Sequence, residues 1–473
     1  MPGISNAATR NALVSLLKRR GSNRAMAAPG FAELADSLAE CRRLLSGAPE
    51  AQPTEIDLDL VAARLAEVER AVRAKRSARR PFKRTARSEP RAAGSPAAGL
   101  RIAVSLRQFV PTIGGTAIYT RNVLEGLVRD HGARLTVFTV EGQVQTLRET
   151  VPDAVFHSVP DHSAGLSIEQ DLDADAHDVV FCPLSLLDPP RPSLPAAVTI
   201  HGLGHELHPE NFDERILELR RRTVRPSARN ADVVLTVSEF SKRSIADHCA
   251  VDPDKIVIAR PGVSPVFAAP APLEPSAAFR DLRLPDDYLY YAANYWPPKN
   301  HANLLRAFHT LLDGRHPTLG LVLSGAPGPD ADRVWRLAQD LGLEGHIRML
   351  GFVDQSLVCE LARHARVVTH VSQHEGSPIP IAEAFHVGTP VVTTFAAACR
   401  EVGGDAALYA AYDDPRAIAH EIERLLDDPQ LARELSARGR RRAPLFAWDA
   451  TVAVIADQLN RIARSPRLGT LGG

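Results

Sequence analysis

The amino-acid sequence predicts an α/β protein with two doubly wound, mostly parallel sheets. Two observations carry this prediction. Short apolar runs alternate with helical stretches from Leu100 onwards, and the alternation stops at the Pro/Ala-rich segment Pro261–Pro275 and then starts again. The 473 residues, of which 45% are hydrophobic and 24% charged, suffice for about three domains of ordinary globular composition.

The first half of the alternation contains six predicted strands, each a short run of residues with buried character. They are Leu100–Leu106, Arg134–Val140, Val179–Cys182, Ala197–Ile200, Val233–Val237 and Ile256–Ala259. Helical periodicity falls between several of them, at Thr116–Arg129, Phe212–Arg225 and Glu239–His248. Strands separated by helices form parallel sheets, because a parallel neighbour needs a crossover connection.

The second half repeats the pattern with five predicted strands, at Tyr288–Ala292, Leu319–Leu323, Ile347–Leu350, Val367–Val371 and Pro390–Thr393. The predicted helices are His301–Leu312, Asp330–Leu341, Ser356–His364, Pro380–Val387 and Pro415–Leu426. We therefore predict Rossmann-like domains over 99–268 and 269–445. Such sheets bind ligands at the carboxyl ends of their strands, so the active site is expected in the cleft that the two domains face.

Residues 1–98 form a basic N-terminal extension and linker, with 18 basic and 10 acidic residues against 38 and 46 in the rest of the chain. Helical periodicity is visible at Phe31–Leu45 and Ile56–Val72, and residues 64–91 hold 11 basic and 3 acidic residues. We interpret the extension as a solvated helical or disordered arm. Peripheral contact between residues 64–91 and an anionic membrane is the alternative.

Composition disfavours several classes of protein. The net charge is zero and only 5% of the residues are aromatic, which argues against a nucleic-acid partner. The five scattered cysteines form no CxxC pair, which favours a reducing compartment. We see no signal-peptide pattern and no run of about 18 apolar residues. The expected location is therefore cytoplasmic, with the inner face of the membrane as the alternative.

The densest chemical signal is a Gly/Ser/Pro loop between a predicted strand and a helix. Glu375, Gly376 and Ser377 lie in this loop, and Glu383 lies eight residues after Glu375 on the helix. A helix N-terminus leaves amides unpaired and so suits a phosphate. One carboxylate is then placed to meet sugar hydroxyls, and the other to accept both hydroxyls of a ribose. The alternative makes Glu375 a first-turn acid and Glu383 a solvated helix residue.

Further candidates follow other predicted strands. Asn294 ends a strand, and Lys299 begins the next helix, where a lysine neutralises a diphosphate as a point charge. Gly114 and Gly115 follow the first strand and allow a backbone to approach a ligand closely. They do not form GxGxxG, which disfavours a nicotinamide dehydrogenase. His201 ends a further strand; a lone histidine is more often structural than functional, but this position raises the odds of a functional role.

Metal, nucleotide-hydrolysis and esterase sites are disfavoured. The segment His205–His208 reads HExH, which lacks the HExxH spacing that puts two imidazoles on one helix face. No GxxxxGK[ST] or GxSxG sequence is present, which disfavours P-loop NTPases and α/β-hydrolases. We expect no bound metal and no cofactor.

Together these motifs resemble the GT-B glycosyltransferases of family 4, the retaining group 1 nucleotide-sugar enzymes. The resemblance extends from about Leu100 to Ala463, and it implies a final helix within 446–473, at Trp448–Ala463, that returns to the N-terminal domain. Its most specific part is the E-x7-E signature from Glu375 to Glu383. The other matching segments are Gly388–Val392, Glu401–Ala407, Ala293–His301, Val237–Ser241 and Pro261–Val263.

The resemblance implies a retaining transferase that moves a hexose from a nucleotide diphosphate sugar, of the GDP-mannose or UDP-glucose type, to an acceptor hydroxyl in polysaccharide or glycoconjugate synthesis. Its partners would be that donor and a carbohydrate or lipid-linked acceptor. The implied catalytic residues are Glu375, His201 and Lys299. The implied donor-binding residues are Gly114, Gly115, Asn294, Lys299, Gly376, Ser377 and Glu383.

Two departures from the family pattern leave alternatives open. In many family members the loop reads Glu-Gly-Phe-Gly, whereas Ser377 and Pro378 occupy the last two positions here. A proline has no N–H to offer a phosphate. Many relatives also have an arginine near the lysine, whereas Asn294 and Pro298 precede Lys299 here. The alternatives are a catalytically weak nucleotide-sugar-binding scaffold protein and a nucleotide-sugar epimerase of the same fold.

Overall fold

The structure is a computed structural model that describes residues 99–107, 109, 114–159, 167–270 and 274–465. The predicted helices Phe31–Leu45 and Ile56–Val72 and the basic segment 64–91 lie outside the described residues. Within the described ranges the chain forms two parallel sheets with helices between the strands, which confirms the predicted α/β class. None of the described helices is long and apolar enough to cross a bilayer.

The first sheet has seven strands in the order β3-β2-β1-β4-β5-β6-β7, and every neighbouring pair is parallel. The strands are β1 Arg101–Ser105, β2 Arg134–Thr139, β3 Val155–Ser158, β4 Val179–Cys182, β5 Ala196–Ile200, β6 Val233–Thr236 and β7 Ile256–Ile258. The direction in which strands are added reverses between β1 and β4. Sequence reasoning missed β3, because this edge strand is largely exposed and lacks an apolar run.

Five helices accompany this sheet, namely α1 Gly114–Arg129, α2 Glu141–Thr150, α3 Gly204–Leu207, α4 Glu214–Asn230 and α5 Glu239–Cys249. The next helix, α6 Pro265–Ala268, already packs into the second domain, because Phe267 belongs to the buried cluster of the second sheet. Side-chain caps explain where the longer ones begin. Asp213 accepts a hydrogen bond from the Arg215 amide at the start of α4, and Ser238 accepts one from the Ser241 amide at the start of α5. Helix α5 ends at Ala250, whose φ of 50° is left-handed.

The second sheet has six strands in the order β10-β9-β8-β11-β12-β13, again with parallel neighbours. They are β8 Tyr288–Ala292, β9 Gly320–Ser324, β10 Ile347–Met349, β11 Val367–His370, β12 Val391–Thr394 and β13 Ala407–Ala410. The strand order reverses between β8 and β11. Ligands of open parallel sheets bind outside the carboxyl ends of the strands at such a reversal.

The helices around the second sheet are α7 Ala277–Asp281, α8 His301–Asp313, α9 Ala331–Asp340, α10 Gln355–His364, α11 Ile379–Val387, α12 Ala397–Gly403, α13 Pro415–Asp427 and α14 Pro429–Arg442. Helix α8 packs Leu304, Leu305 and Phe308 into the core, as its apolar stripe predicts. Asp354, Asp414 and Asp428 cap α10, α13 and α14.

The last helix, α15 Trp448–Arg464, packs against the first sheet rather than the second. Val452, Ile455 and Leu459 belong to the same buried cluster as the residues of β1 and α1. The contact with α1 is close, because a Cβ added at Gly126 would lie 2.7 Å from a methyl carbon of Val452. The chain therefore crosses between the two sheets twice.

We predict that Gly126→Ala destabilises the protein, although alanine normally favours a helix over glycine by about 0.5–1 kcal/mol. The new methyl group must push α15 away from α1, so the free energy of unfolding should fall by about 1–3 kcal/mol. Urea unfolding measures the change. The matched control is Gly142→Ala on α2, where an added Cβ meets nothing within 4 Å. Equal stability of the two variants would contradict the close contact.

Candidate functional site

The candidate site lies where the reversal points of both sheets face each other. β8 and β11 are neighbours, with Leu289 opposite Val367, so the loops that follow them meet although they are far apart in sequence. Lys299 follows β8 and Glu375 follows β11. A cavity of about 320 Å³ opens here, a volume within the range of small-molecule sites. Its lining includes Gly114, Gly115, Arg121, Asn294, Lys299, Phe352, His370, Glu375, Ser377 and Glu383.

An ion pair occupies the floor of the cavity. The Lys299 Nζ lies 2.6 Å from Glu375 Oε1, and His370 Nε2 lies 3.0 Å from the same oxygen. Glu375 is only 9% exposed. Burial alone would raise the pKa of this carboxyl, but the Lys299 charge and the hydrogen bond from His370 outweigh burial and hold the pKa well below its usual range. Glu375 is therefore a buried, fully charged carboxylate.

Two hydrogen-bonding side chains hold the loops of this ion pair in place. The Tyr291 hydroxyl donates to the Lys299 carbonyl at 2.7 Å and lies 3.1 Å from the Ser372 hydroxyl oxygen. Asn300 has a φ of 60°, and its side-chain amide donates to the Val371 carbonyl at 3.0 Å. Each of these side chains thus connects the loop after β8 with the loop after β11.

Glu383 is the second carboxylate of the cavity, and its surroundings differ from those of Glu375. It is 6% exposed on α11, so the alternative of a solvated helix residue is wrong. Burial raises its pKa to about 8, because no cation compensates the loss of water. Helix α11 begins at Ile379, so Glu375 precedes the helix by four residues and is not a first-turn acid.

The first sheet contributes the start of α1 to the opposite wall. Gly114 has a φ of 65°, and a Cβ there would lie 3.4 Å from the Asn294 side-chain nitrogen. A Cβ on Gly115 would lie 3.5 Å from Ile379 Cδ1. The side-chain oxygen of Asn294 accepts a hydrogen bond of 2.8 Å from the Ala326 amide, which ties it to the loop after β9. The two walls therefore approach each other to van der Waals distance.

His201 and Gly376 lie beside the cavity and are not among its lining residues. The imidazole donates from Nε2 to the Pro183 carbonyl at 2.8 Å, and burial lowers its pKa, so the ring is neutral with Nδ1 as an acceptor. A Cβ on Gly376 would lie 2.0 Å from the His201 carbonyl oxygen. Only glycine allows the two backbones to come this close.

Several lining residues were not among the candidates from the sequence, and His370, Arg121 and Phe352 are three of them. His370 is the last residue of β11, and a strand-end position was the available signal. Arg121 lies on α1 two turns after Gly114, on the face that meets the cavity. Phe352 follows Gly351, whose φ is 69°, and is 66% exposed at the rim of the cavity.

Hydrogen bonds outside the cavity lining connect the two sheet domains. The Glu401 carboxylate accepts a hydrogen bond of 2.9 Å from the Glu239 amide at the start of α5, and it pairs with Arg260 at 3.1 Å. The Gln373 side-chain nitrogen lies 3.2 Å from His208 Nδ1. The sequence segments around Ser238 and Glu401 thus join the domains.

Within the part of the chain that the structure describes, the cavity contains no cluster of the kind that holds a metal ion. Among the described residues, the group with suitable spacing is His316, Glu423 and Asp427, which lies toward the amino ends of the strands of the second sheet. Arg315 already pairs with Asp427. In the HExH segment, Glu206 is paired with two arginines of α4.

We predict that the stability contribution of Glu383 depends on pH. An ordinary glutamate has a pKa of 4.5, whereas Glu383 has one of about 8, so the folded state holds a proton that the unfolded state loses between these values. The contribution of Glu383 to the free energy of unfolding therefore falls as the pH rises from 4.5 to 8. Glu383→Gln cannot ionise, so its stability relative to the wild type should increase between about pH 5 and pH 8, by up to about 4 kcal/mol.

Urea unfolding at the two pH values measures this difference. The control is Glu434→Gln, at an exposed glutamate of α14. Its free energy of unfolding should differ from that of the wild type by the same amount at both pH values. If the difference in the free energy of unfolding between Glu383→Gln and the wild type does not change with pH, the carboxyl ionises in the folded protein as it does in water.

Comparison with known proteins identifies both domains. The family model for glycosyl transferases group 1 matches residues 277–442, and the model for glycosyltransferase family 4 matches residues 113–267. The O-antigen chain mannosyltransferase B of Escherichia coli is 31% identical over 255 residues, which cover 54% of this chain and 67% of that protein.

A D-inositol 3-phosphate glycosyltransferase of Kineococcus radiotolerans is 29% identical over 250 residues, which cover 49% of this chain and only 57% of the relative. The crystal structure of Anabaena HepE in complex with UDP and glucose superposes with a TM-score of 0.62 at 18% identity, over 76% of this chain and 100% of that one. This structure shows the shared fold. The chain therefore belongs to the group 1, family 4 glycosyltransferases, which are transferases with the GT-B fold.

Proposed function

We propose that this chain transfers a hexose, with retention of the anomeric configuration, from a nucleotide diphosphate sugar in the cavity to an acceptor hydroxyl. The observation that carries the proposal is the ion pair of Lys299 with the buried Glu375 beside a second buried carboxylate, Glu383, at the facing reversal points of the two sheets. A nucleotide sugar offers complementary groups to all three side chains.

The donor would lie across the cavity in a defined direction. The Lys299 ammonium neutralises the diphosphate, and backbone groups of Gly114 and Gly115 approach it from the opposite wall. Glu383 accepts hydrogen bonds from both ribose hydroxyls, which replaces the water it lost on burial. Ser377 contacts the phosphates, and Asn294 supports the wall between them.

The reaction would proceed on one face of the sugar. The bond between the anomeric carbon and the leaving phosphate oxygen breaks, and a bond from the acceptor oxygen to that carbon forms on the same face. The acceptor proton passes to the leaving phosphate oxygen, and the nucleoside diphosphate departs. Lys299 stabilises the charge that develops on the diphosphate. Glu375 accepts hydrogen bonds from the sugar hydroxyls, and His201 offers its neutral Nδ1 on the same side.

We also propose that the reaction needs no bound metal. Lys299 supplies the positive charge that a divalent cation would otherwise bring to the diphosphate. The cavity lining holds two carboxylates, but Glu375 is already paired and Glu383 carries a raised pKa, which disfavours both as metal ligands. A chelator should therefore leave turnover unchanged.

The proposed donor is a hexose nucleotide of the GDP-mannose or UDP-glucose type, and the proposed role is polysaccharide or glycoconjugate synthesis. A relative named as an O-antigen chain mannosyltransferase supports mannose and a carbohydrate or lipid-linked acceptor. A structural neighbour crystallised with UDP and glucose supports the second donor type.

The test is nucleotide release by the purified protein from a panel of GDP-, UDP- and ADP-sugars. We expect release from one donor, even without acceptor, because water replaces the acceptor slowly. Glu383→Ala should lower release at least about 10-fold, because the ribose loses both hydrogen bonds to its carboxylate partner. Glu434→Ala on the exposed face of α14 is the matched control and should release nucleotide at the wild-type rate.

Binding of a nucleotide sugar without any release, with or without candidate acceptors, would favour a binding protein over a transferase. Return of the donor as an epimer would favour the epimerase. An inverted product, measured by the anomeric coupling in NMR spectra, would overturn the retaining mechanism.

We further propose that residues 64–91 contact anionic lipid headgroups, because they hold 11 basic and 3 acidic residues. Deletion of residues 1–98 should leave donor turnover intact and reduce sedimentation with phosphatidylglycerol vesicles. The control is a neutral phosphatidylcholine vesicle, which should bind neither form. Equal binding of both forms to anionic vesicles would exclude this role.

A further inference from the structure

His370 has no part in the donor contacts described above, yet its position is unusual for a histidine. It lies in the cavity lining at the carboxyl end of β11 and is only 2% exposed. Its Nε2 contacts Glu375 Oε1 at 3.0 Å. Its Nδ1 is buried without a hydrogen-bond partner among the described residues. Burial of a polar ring costs free energy unless its nitrogen atoms form hydrogen bonds, and here the one hydrogen bond is the contact with Glu375.

The imidazole is held rigidly in the orientation that makes this hydrogen bond. The His370 carbonyl accepts a hydrogen bond of 2.8 Å from the Thr393 hydroxyl on β12. The ring packs edge-to-face against Tyr291, with 5.8 Å between the ring centres. Because Nε2 faces a carboxylate oxygen, Nε2 carries the proton and donates it. The strand end thus presents a fixed N–H donor to Glu375.

Lys299 and His370 donate to the same oxygen of Glu375, but a diphosphate in the cavity would draw only the lysine away from this oxygen. The Lys299 ammonium ends a flexible side chain that is 27% exposed toward the cavity. A diphosphate in the cavity attracts this ammonium, because it carries more negative charge than one carboxylate. The histidine is buried on a strand, and among the described residues its side chain has Glu375 as its hydrogen-bond acceptor. When Lys299 turns to the diphosphate, His370 is the donor that stays with Glu375.

We propose that His370 is a positioning residue that keeps the Glu375 carboxylate charged and oriented toward the donor sugar once Lys299 has turned to the diphosphate. This role rests on the proposed function, since it needs a sugar in contact with Glu375. A buried carboxylate that loses its last donor would take up a proton or rotate away from the sugar. The hydrogen bond from His370 prevents both.

Three variants of His370 in the full chain separate this role from a structural one. In His370→Gln the side-chain amide nitrogen reaches the position of the imidazole Nε2, so the N–H donor remains. In His370→Asn the amide nitrogen falls near the position of Nδ1 and does not reach Glu375. His370→Leu removes all polar atoms. The donor is the nucleotide sugar from which the wild-type protein releases nucleotide, and binding of the corresponding nucleoside diphosphate is measured in parallel.

We expect His370→Asn and His370→Leu to lower the kcat of nucleotide release about 10- to 100-fold, the range for a lost hydrogen bond to a charged group. His370→Gln should stay within about threefold of the wild type. All three should bind the nucleoside diphosphate with wild-type affinity, because that ligand lacks the transferred hexose that Glu375 would contact. A structural role would instead weaken nucleotide binding together with turnover.

The proposal is overturned if the kcat of His370→Asn equals that of the wild type. It is also overturned if His370→Gln loses as much kcat as His370→Asn while both variants still bind the nucleotide. If His370→Leu does not fold, the comparison of the Asn and Gln variants still decides between these outcomes. A wild-type protein that releases nucleotide from no donor overturns the proposed function and this role with it. That result is distinct, because it appears before any variant is made.

Discussion

The need to pair one buried charge determines the geometry of the site. Glu375 is charged and almost fully buried, and it meets a cation because β8 and β11 are neighbours in the sheet. The Tyr291 hydroxyl and the Asn300 side chain then fix the two loops to each other. Removal of Lys299 would leave the buried Glu375 carboxylate without a cation and with His370 as its remaining side-chain donor. The strand order of the second sheet thus places Lys299 at the cavity.

Two carboxylates eight positions apart in the sequence experience opposite environments. The pKa of Glu375 is held low by Lys299 and His370 despite burial, whereas burial alone raises the pKa of Glu383 to about 8. Pairs of acids whose environments push their pKa values apart mark sites with divided tasks. A ligand with a diphosphate for the cation and hydroxyl groups for the acids satisfies every one of these side chains. A nucleotide sugar is such a ligand.

The α/β class, the order of most elements and the E-x7-E loop could be predicted from the sequence, because each depends on local pattern and spacing. The sequence of α11 also contained a signal for the burial of Glu383, since Ile379–Val387 is apolar on nearly every side, which is typical of a buried helix. The partners of Glu375 could not be predicted. They depend on which strands lie next to each other, and His370 becomes informative only when the distance to Glu375 is known.

Both domains contribute residues to the cavity lining. A backbone contact at a glycine determines how closely the two domains approach each other. Gly376 packs against the His201 carbonyl so tightly that any side chain would separate the two loops. The Ser238 hydroxyl then donates to the Gly376 carbonyl at 2.7 Å, and Glu401 caps the helix that begins one residue later. These contacts are made by the glycine loop that carries Glu375. A change in domain spacing would therefore move the Glu375 carboxylate itself, which couples the distance between the domains to the geometry of the Glu375, Lys299 and His370 contacts.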